Sequence, residues 1–202
     1  MVIKDRKRLD DYYSEKARKE GYPARSVYKL IELDLKYNFI KKGQKVLDLG
    51  AAPGSFSLYA AKKVGPIGLV LAVDLIPLSI KSPNLQFVGI DILEKGPEDV
   101  RAYGPFSVVL SDLAPKTTGV KTVDGEKSLA LAKRALEWAT ELLAPKGDFL
   151  VKLFQGGDCD AFVKESLKIK FQKVILLKPK ATRKNSVEIY ALGQSFCGKE
   201  KA

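Results

Sequence analysis

An apolar run that breaks into a loop of small residues constrains this chain more than any other stretch. The run Val46-Leu47-Asp48-Leu49 leads into Gly50-Ala51-Ala52-Pro53-Gly54, and Phe56–Lys63 follows with the pattern of a helix. A strand, a small-residue loop and a helix in this order are typical of α/β folds that bring their backbone close to a nucleotide-like ligand. Small side chains permit that approach, and glycine adopts backbone angles that other residues avoid.

The loop does not match the two most familiar phosphate-binding patterns. Gly-x-Gly-x-x-Gly is absent from this stretch, and so is Gly-x-x-x-x-Gly-Lys followed by Ser or Thr. The sequence therefore disfavours a nicotinamide dinucleotide or a P-loop site and leaves a nucleoside-type cofactor as the better interpretation.

Length and composition indicate one α/β domain that spans residues 1–202. The chain is 46% apolar and 29% charged, which is enough apolar content for a core of its own. No apolar run approaches the roughly 20 residues of a membrane span, and the polar start does not resemble a signal peptide. Two cysteines do not make a disulfide framework. We expect a cytoplasmic, reduced protein with a basic arm over about residues 1–24 and a loose tail over about 194–202.

The chain contains no histidine, which limits its chemistry. Histidine is the commonest general base and the commonest metal ligand, so we expect no metal site. Acid–base chemistry would then depend on Lys, Asp, Glu, Tyr or Cys.

Positive charge is concentrated on the two flanks of the sequence. The total net charge is +11; residues 1–45 carry +6, residues 164–184 carry +7, and residues 46–163 carry −2. This distribution predicts a surface for a polyanion beside a site for a neutral or cationic ligand. The alternative is a charged surface that serves only solubility.

Strand-like and helix-like patterns alternate along the chain, which predicts a doubly wound α/β sheet. The strands are expected at Lys45–Leu49, Leu69–Leu75, Leu85–Ile90, Phe106–Asp112, Asp148–Phe154, Lys173–Leu177 and Val187–Leu192. The helices are expected at Ser26–Tyr37 with Ser26 as N-cap, Phe56–Lys63, Glu126–Leu143 and Asp158–Lys168. The last two strands enclose a basic loop and suit a hairpin.

Acidic residues stand at the ends of four successive strand candidates: Asp48, Asp74, Asp91 and Asp112. The carboxyl edge of an open α/β sheet is where ligands bind. Asp74 lies about 20 residues past the glycine loop, the spacing at which a carboxylate binds ribose hydroxyls, and Asp91 could accept from a base amino group. A single strand-end acid often only caps a turn, but four together favour a nucleoside site.

Two charged residues interrupt otherwise apolar strands near the end of the chain. Lys152 lies within Phe149–Phe154, and Glu188 lies within Val187–Tyr190. Lysine is rarely buried unless it is paired. Each could instead occupy an exposed strand face, with the Lys152 side chain extending to water.

Five segments together resemble the FtsJ/RrmJ-like family of S-adenosylmethionine-dependent RNA ribose 2′-O-methyltransferases. They are Ala24–Leu30, Leu47–Gly54, Leu110–Pro115, Val151–Gly156 and Ser186–Tyr190, and the resemblance runs from about residue 22 to about 193. It implies a Rossmann-like class I methyltransferase fold whose seven-stranded mixed sheet has the order 3-2-1-4-5-7-6 with the last strand antiparallel. One departure is Pro53-Gly54-Ser55-Phe56, where the family often has Pro-Gly-Gly-Trp.

The resemblance also implies roles for individual residues. Its catalytic tetrad falls on Lys29, Asp112, Lys152 and Glu188, with Lys152 as the proton acceptor. The side chains of Asp112 and Glu188 favour the ammonium form of Lys152, whereas the positive charge of Lys29 disfavours it. The protonation state of Lys152 therefore stays open. The S-adenosylmethionine site is expected at Asp48, Gly50, Pro53, Gly54, Phe56, Asp74, Asp91 and Asp112. From the basic flanks, the expected RNA-binding residues are Arg6, Arg8, Arg18, Arg25, Lys178, Lys180, Arg183 and Lys184.

The expected activity is methylation of a ribose 2′-hydroxyl in structured RNA. Within the family, the members closest in size act on a uridine of large-subunit ribosomal RNA, and we expect a monomer. A transfer-RNA anticodon-loop enzyme is the main alternative, and an enzyme that acts on messenger-RNA caps is more distant. An RNA-binding module without catalysis and a small-molecule methyltransferase also stay open.

Overall fold

The computed structural model describes residues 12–156, 158–183 and 185–198. The predicted RNA contacts Arg6, Arg8 and Lys184 lie outside these residues. Seven strands form one sheet: β1 Lys45–Leu49, β2 Leu69–Asp74, β3 Leu85–Gly89, β4 Phe106–Ser111, β5 Leu143–Phe154, β6 Phe171–Leu177 and β7 Glu188–Phe196.

Helices connect most of the strands. Residues 12–19 are helical (α1), and the others are α2 Val27–Tyr37, α3 Ser55–Val64, α4 Glu98–Arg101, α5 Lys121–Leu142, α6 Cys159–Phe162 and α7 Lys168–Lys170, with a π-helical turn at Val163–Leu167. None of the helices in the described segments has the length and apolar character that a membrane crossing requires.

The order of the strands is β3-β2-β1-β4-β5-β7-β6, which confirms the predicted topology. Strands β1 to β5 pair in parallel, and β7 runs antiparallel to both β5 and β6. The chain builds outward from β1 to β3 and then returns to place β4 on the other side of β1. This reversal opens a crevice at the carboxyl ends of β1 and β4, where ligands bind in open α/β sheets.

Apolar side chains pack on both faces of the sheet, because parallel strands between two helical layers are buried on both sides. On one face Leu47 and Leu49 lie in a core with Trp138 of α5. On the other face Val46 lies in a core with Leu30 of α2. The helices that surround the crevice are therefore anchored to opposite faces of the sheet.

Two sequence predictions about boundaries are wrong, and a third holds only in part. Ser26 occupies the predicted N-cap position of α2, but it has helical backbone angles and makes no side-chain capping hydrogen bond. Helix α5 begins at Lys121 rather than Glu126, because the Asp124 carboxylate accepts from the Thr118 and Gly119 amides and organises an earlier first turn. Strand β7 continues to Phe196, whose ring packs 5.5 Å from that of Phe171, so residues 194–196 are not a loose tail.

Candidate active site

A cavity of about 450 Å³ lies at the carboxyl edge of the sheet. Its lining includes Gly50 after β1, Asp74 at the end of β2 and Asp91 after β3. Leu113 and neighbouring residues after β4 form another wall. The structure thus brings the glycine loop and two of the predicted acids together around one apolar space.

Backbone amides hold the two acids of this cavity in place. Asp74 accepts from the Ala52 and Ile76 amides, each at 2.9 Å, with one carboxylate oxygen for each donor. Asp91 accepts from the Leu93 amide at 2.9 Å. A carboxylate oxygen has more than one lone pair, so both side chains keep acceptor capacity for hydroxyl or amino groups of a ligand.

Asp48 is fully buried beneath the same edge. Its Oδ2 accepts from the Ser57 hydroxyl at 2.5 Å, and its Oδ1 has no hydrogen-bond partner. Burial raises the pKa of Asp48 to about 7, and the charges of Asp112 and Asp74 add to this effect. In the described part of the chain, no group of three or more acidic or cysteine side chains is arranged to hold a metal ion.

The end of the glycine loop is covered by the segment that follows β2. The Pro53 carbonyl accepts from the backbone amide of Ser79 at 3.2 Å and from its hydroxyl at 3.0 Å. Gly54 has φ +112°, and a Cβ there would lie 2.7 Å from Ile80 Cγ1, so this position requires glycine. Phe56 is 3% exposed and packs in the core on the α2 side. Contacts of Asp48, Pro53, Gly54 and Phe56 with a cofactor remain predictions, because these residues do not line the cavity.

Lys152 of β5 is buried and paired, so it does not extend to water. Its Nζ donates to the Asp112 carbonyl at 2.6 Å and lies 3.1 Å from Asp112 Oδ1. The Lys152 side chain is only 7% exposed. Asp112 follows β4 and immediately precedes the cavity residues Leu113 and Ala114, so this pair lies near the cavity. Neither Asp112 nor Lys152 lines the cavity, and a contact of Asp112 with a cofactor stays a prediction.

A second ion pair joins Lys29 of α2 to Glu188 at the start of β7. Each side chain is about 15% exposed. The alternative of an open, exposed strand face for Glu188 is therefore excluded. The four residues Lys29, Asp112, Lys152 and Glu188 come from four separate elements and form two neighbouring pairs of opposite charge.

Tyr190 connects the two ion pairs, and the sequence interpretation gave it no role. It lies directly opposite Lys152 in the antiparallel pairing of β7 with β5. Its hydroxyl donates to Asp112 Oδ1 at 2.6 Å, and Lys29 Nζ lies 6.0 Å from its ring centroid. Burial, followed by the charges of Asp112 and Glu188, raises the pKa of Tyr190 well above 10, so the phenol stays a donor. The sequence carried one signal for this role: Glu188 and Tyr190 are two residues apart on a strand, so their side chains lie on the same face of the sheet.

The basic residues predicted to bind RNA are divided between two surfaces. Arg18 is exposed on α1, and Lys178, Lys180 and Arg183 are exposed on the loop between β6 and β7. Arg25 differs, because its guanidinium donates to the Ala181 carbonyl at 3.0 Å and lies 5.7 Å from the Tyr13 ring centroid. Its present contacts are within the protein.

The fold and the site together define a Rossmann-like protein with an apolar cavity at the carboxyl edge of its sheet, near a cluster of two lysines and two acids. The chain belongs to the FtsJ-like methyltransferase family, whose model matches residues 22–196.

Three similar proteins illustrate this relationship. "Ribosomal RNA large subunit methyltransferase E" of Desulfatibacillum aliphaticivorans is 48% identical over 190 residues, which cover 93% of this chain and 91% of that protein. The protein of the same name from Oleidesulfovibrio alaskensis is 46% identical over 196 residues, covering 95% and 94%. A crystal structure from Plasmodium falciparum, assigned as a ribosomal RNA methyltransferase, has a TM-score of 0.75 at 27% identity and covers 88% of this chain and all of that one.

Proposed function

We propose that this protein transfers a methyl group from S-adenosylmethionine to a ribose 2′-hydroxyl in large-subunit ribosomal RNA, with uridine as the target nucleotide. The observation that carries this proposal is the assembly of Lys29, Asp112, Lys152 and Glu188 next to the cavity. The family membership and the names of the similar proteins agree with it.

The cavity residues fit S-adenosylmethionine, which supplies an electrophilic methyl group when bound. Asp74 would accept from the ribose hydroxyls and Asp91 from the base amino group, while Gly50 leaves room for the ligand. The unpartnered Oδ1 of Asp48 suits a cofactor that carries positive charge. The acids Asp74 and Asp91 of the cavity lining would add a favourable charge interaction with a cationic molecule.

In this proposal Lys152 acts on the proton of the 2′-hydroxyl. An ammonium group carries three donors, and two contacts of Lys152 go to Asp112. The third position would face the substrate hydroxyl. Once the ammonium has released its proton to solvent, the neutral amine would accept the proton that the hydroxyl loses. Asp112 fixes the orientation of Lys152, while Lys29 and Glu188 position the ribose. Orientation of this kind supplies much of the rate in a transfer between two bound molecules.

The basic flanks would bind the phosphates of the RNA. Arg18 lies on one side, and Lys178, Lys180 and Arg183 lie on the loop that leads to Glu188. Contacts of this kind position RNA without reading its sequence and weaken as salt concentration rises. We further propose that the protein acts as a monomer in the cytoplasm, since the site requires no second chain and ribosomal RNA is its substrate.

Incubation with methyl-labelled S-adenosylmethionine and separate pools of ribosomal and transfer RNA tests this function. We expect label in large-subunit RNA and, after alkaline hydrolysis, in a resistant dinucleotide, because 2′-O-methylation blocks cleavage at that position. Nuclease mapping then identifies the nucleotide. Label in transfer RNA would favour the anticodon-loop alternative, and label on a base would contradict ribose methylation. RNA binding without label would favour a module without catalysis, and label only in small molecules would favour a small-molecule enzyme.

A further inference from the structure

Besides the active-site ion pair, two residues contact the basic loop: Arg25 in the turn before α2 and Glu32 within α2. We define the basic loop as residues 178–186, of which residue 184 is not described. The Arg25 guanidinium donates to the Ala181 carbonyl at 3.0 Å. Glu32 Oε2 accepts from the backbone amide of Lys180 at 2.8 Å. Both contacts are to the main chain of the loop, so they depend on its conformation and not on its side chains.

The two contacts flank Lys29, which pairs with Glu188 just after the loop. Arg25 lies four residues before Lys29, in the turn that leads into α2, and Glu32 lies three residues after it. Spacings of three and four place side chains on one side of a helix. Glu32 and Lys29 therefore lie on one face of α2, and Arg25 contacts the loop from the turn before that helix.

The loop is packed against the protein while its cations stay exposed. Ala181 is 3% exposed, whereas Lys180 and Arg183 are exposed. Within the loop, the Thr182 amide donates to the Pro179 carbonyl at 2.9 Å, and the Lys178 ammonium donates to the Ser186 carbonyl at 2.8 Å. The direction in which the cations point is therefore set by how the loop backbone is fastened.

Glu32 is an unexpected residue on a surface that binds a polyanion. A carboxylate beside Lys178, Lys180 and Arg183 lowers the local positive potential and would by charge alone weaken RNA binding. Its hydrogen bond to the Lys180 amide supplies a compensating reason for its presence.

We propose that Arg25 and Glu32 are positioning residues that fix the basic loop, so that RNA phosphates bind in register with Lys29 and Glu188. This inference rests on the proposed function. It assigns Arg25 to the loop main chain instead of to phosphate, and it makes Glu32 favourable for RNA binding despite its charge.

Removing Glu32 distinguishes a carboxylate that fastens the loop from one that only repels RNA, because the two roles predict opposite changes in RNA affinity. If Glu32 fastens the loop, Glu32→Ala weakens binding of large-subunit RNA by about fivefold, through loss of one hydrogen bond. The KM for RNA rises, kcat at saturating RNA changes little, and the cofactor Kd stays unchanged. Glu15→Ala is the matched control, because it removes an exposed acid from α1 and leaves the loop contacts intact. Tighter RNA binding by Glu32→Ala would overturn the proposal.

Arg25→Lys tests the second contact, because it keeps the charge but loses the guanidinium geometry. We expect it to lose as much RNA affinity as Arg25→Ala. Affinity equal to that of the unaltered protein would assign Arg25 to phosphate binding and overturn its positioning role.

Hydrogen exchange of peptides that cover residues 178–187 separates this inference from the proposed function. Without RNA or cofactor, Glu32→Ala and Arg25→Lys should exchange faster there than the unaltered protein and Glu15→Ala do. Unchanged exchange would overturn the positioning role even if the enzyme methylates ribosomal RNA. Failure of the unaltered protein to methylate any RNA would refute the proposed function while the exchange result still stood.

Discussion

Tyr190 donates a hydrogen bond of 2.6 Å to Oδ1 of Asp112, the same oxygen that lies 3.1 Å from Lys152 Nζ. The phenol is fully buried, and its position opposite Lys152 follows from the pairing of β7 with β5. One carboxylate oxygen therefore accepts the hydrogen bond of the phenol and pairs with the ammonium group, and the phenol restricts where Asp112 can hold the lysine.

Tyr190→Phe should preserve the fold and slow methyl transfer. The ring still fills its place, but Asp112 loses a donor, and a hydrogen bond to a charged group is worth about 1.5–3 kcal/mol. We expect kcat to fall by about tenfold or more, with little change in cofactor Kd, measured by single-turnover assay and calorimetry. Tyr37→Phe makes the same chemical change two turns along α2 from Lys29 and should leave turnover intact. Unchanged turnover in Tyr190→Phe would show that Lys152 is held without the phenol.

Lys152→Met should abolish most of the turnover while cofactor binding persists. Methionine keeps the apolar stem that packs in β5 but cannot accept or donate the proton. A positioned acid or base contributes about 10²–10⁴-fold in rate, so we expect turnover to fall by at least about 100-fold. Lys146→Met, an exposed position in the same strand, is the control. Turnover near that of the unaltered protein, with intact cofactor binding, would remove Lys152 from its proposed role.

The strand order and the gathering of the tetrad were predictable because neither depends on exact strand boundaries. The apolar runs and the acids at strand ends specify parallel strands and a common edge. The resemblance supplied the order, and the sheet agrees with it. A shift of one or two residues at the end of β5 or β7 changes neither conclusion.

Contacts that depend on exact register were not predictable. Tyr190 faces Asp112 only because β7 pairs with β5 so that Lys152 lies opposite Tyr190, and a slip by one residue would turn it to the other side. Arg25 counted as an RNA contact because its charge is visible in the sequence, whereas its bond to the Ala181 carbonyl depends on the folded loop. The predicted α5 was too short because Gly125 interrupts the helical sequence pattern near the first turn, whereas in the structure Asp124 organises that turn.

Asp48 should make the stability of the protein depend on pH in an unusual direction. Burial raises the pKa of this carboxyl from 3.8 to about 7 in the folded protein. The unfolded chain therefore releases the proton near its ordinary pKa, while the folded chain retains it up to about pH 7. Between these values the folded state binds more protons, so the free energy of unfolding falls as pH rises.

Asp48→Asn should remove this component. Asparagine retains an acceptor for the Ser57 hydroxyl but does not titrate. Denaturant unfolding is measured from about pH 4.5 to about pH 8. The free energy of unfolding of the unaltered protein should fall by up to about 1.4 kcal/mol per pH unit relative to the variant, and this difference should level off above about pH 7. Parallel stability curves for the two proteins would contradict a raised pKa at Asp48.

Ser55 replaces the second glycine that the family often has in its Pro-Gly-Gly-Trp segment, and the structure gives the hydroxyl a partner. It accepts from the Ala24 amide at 2.8 Å and donates to the Ala24 carbonyl at 3.2 Å. These bonds join the start of α3 to the turn between α1 and α2. The substitution therefore links the glycine loop to the basic N-terminal segment.

Ser55→Ala should lower the free energy of unfolding by about 1–3 kcal/mol, because the Ala24 amide loses its acceptor in a partly buried place. Ser55→Gly should lower the free energy of unfolding at least as much, since it removes the same hydroxyl and gives the unfolded chain more conformational freedom. Urea unfolding measures both, and proteolysis of the native protein should cut faster within residues 12–24. Ser166→Ala, a half-exposed serine in the π-helical turn, is the control. If Ser55→Ala unfolded with the same free energy as the unaltered protein, the hydroxyl would not fasten the two segments, and the departure from the family pattern would be neutral.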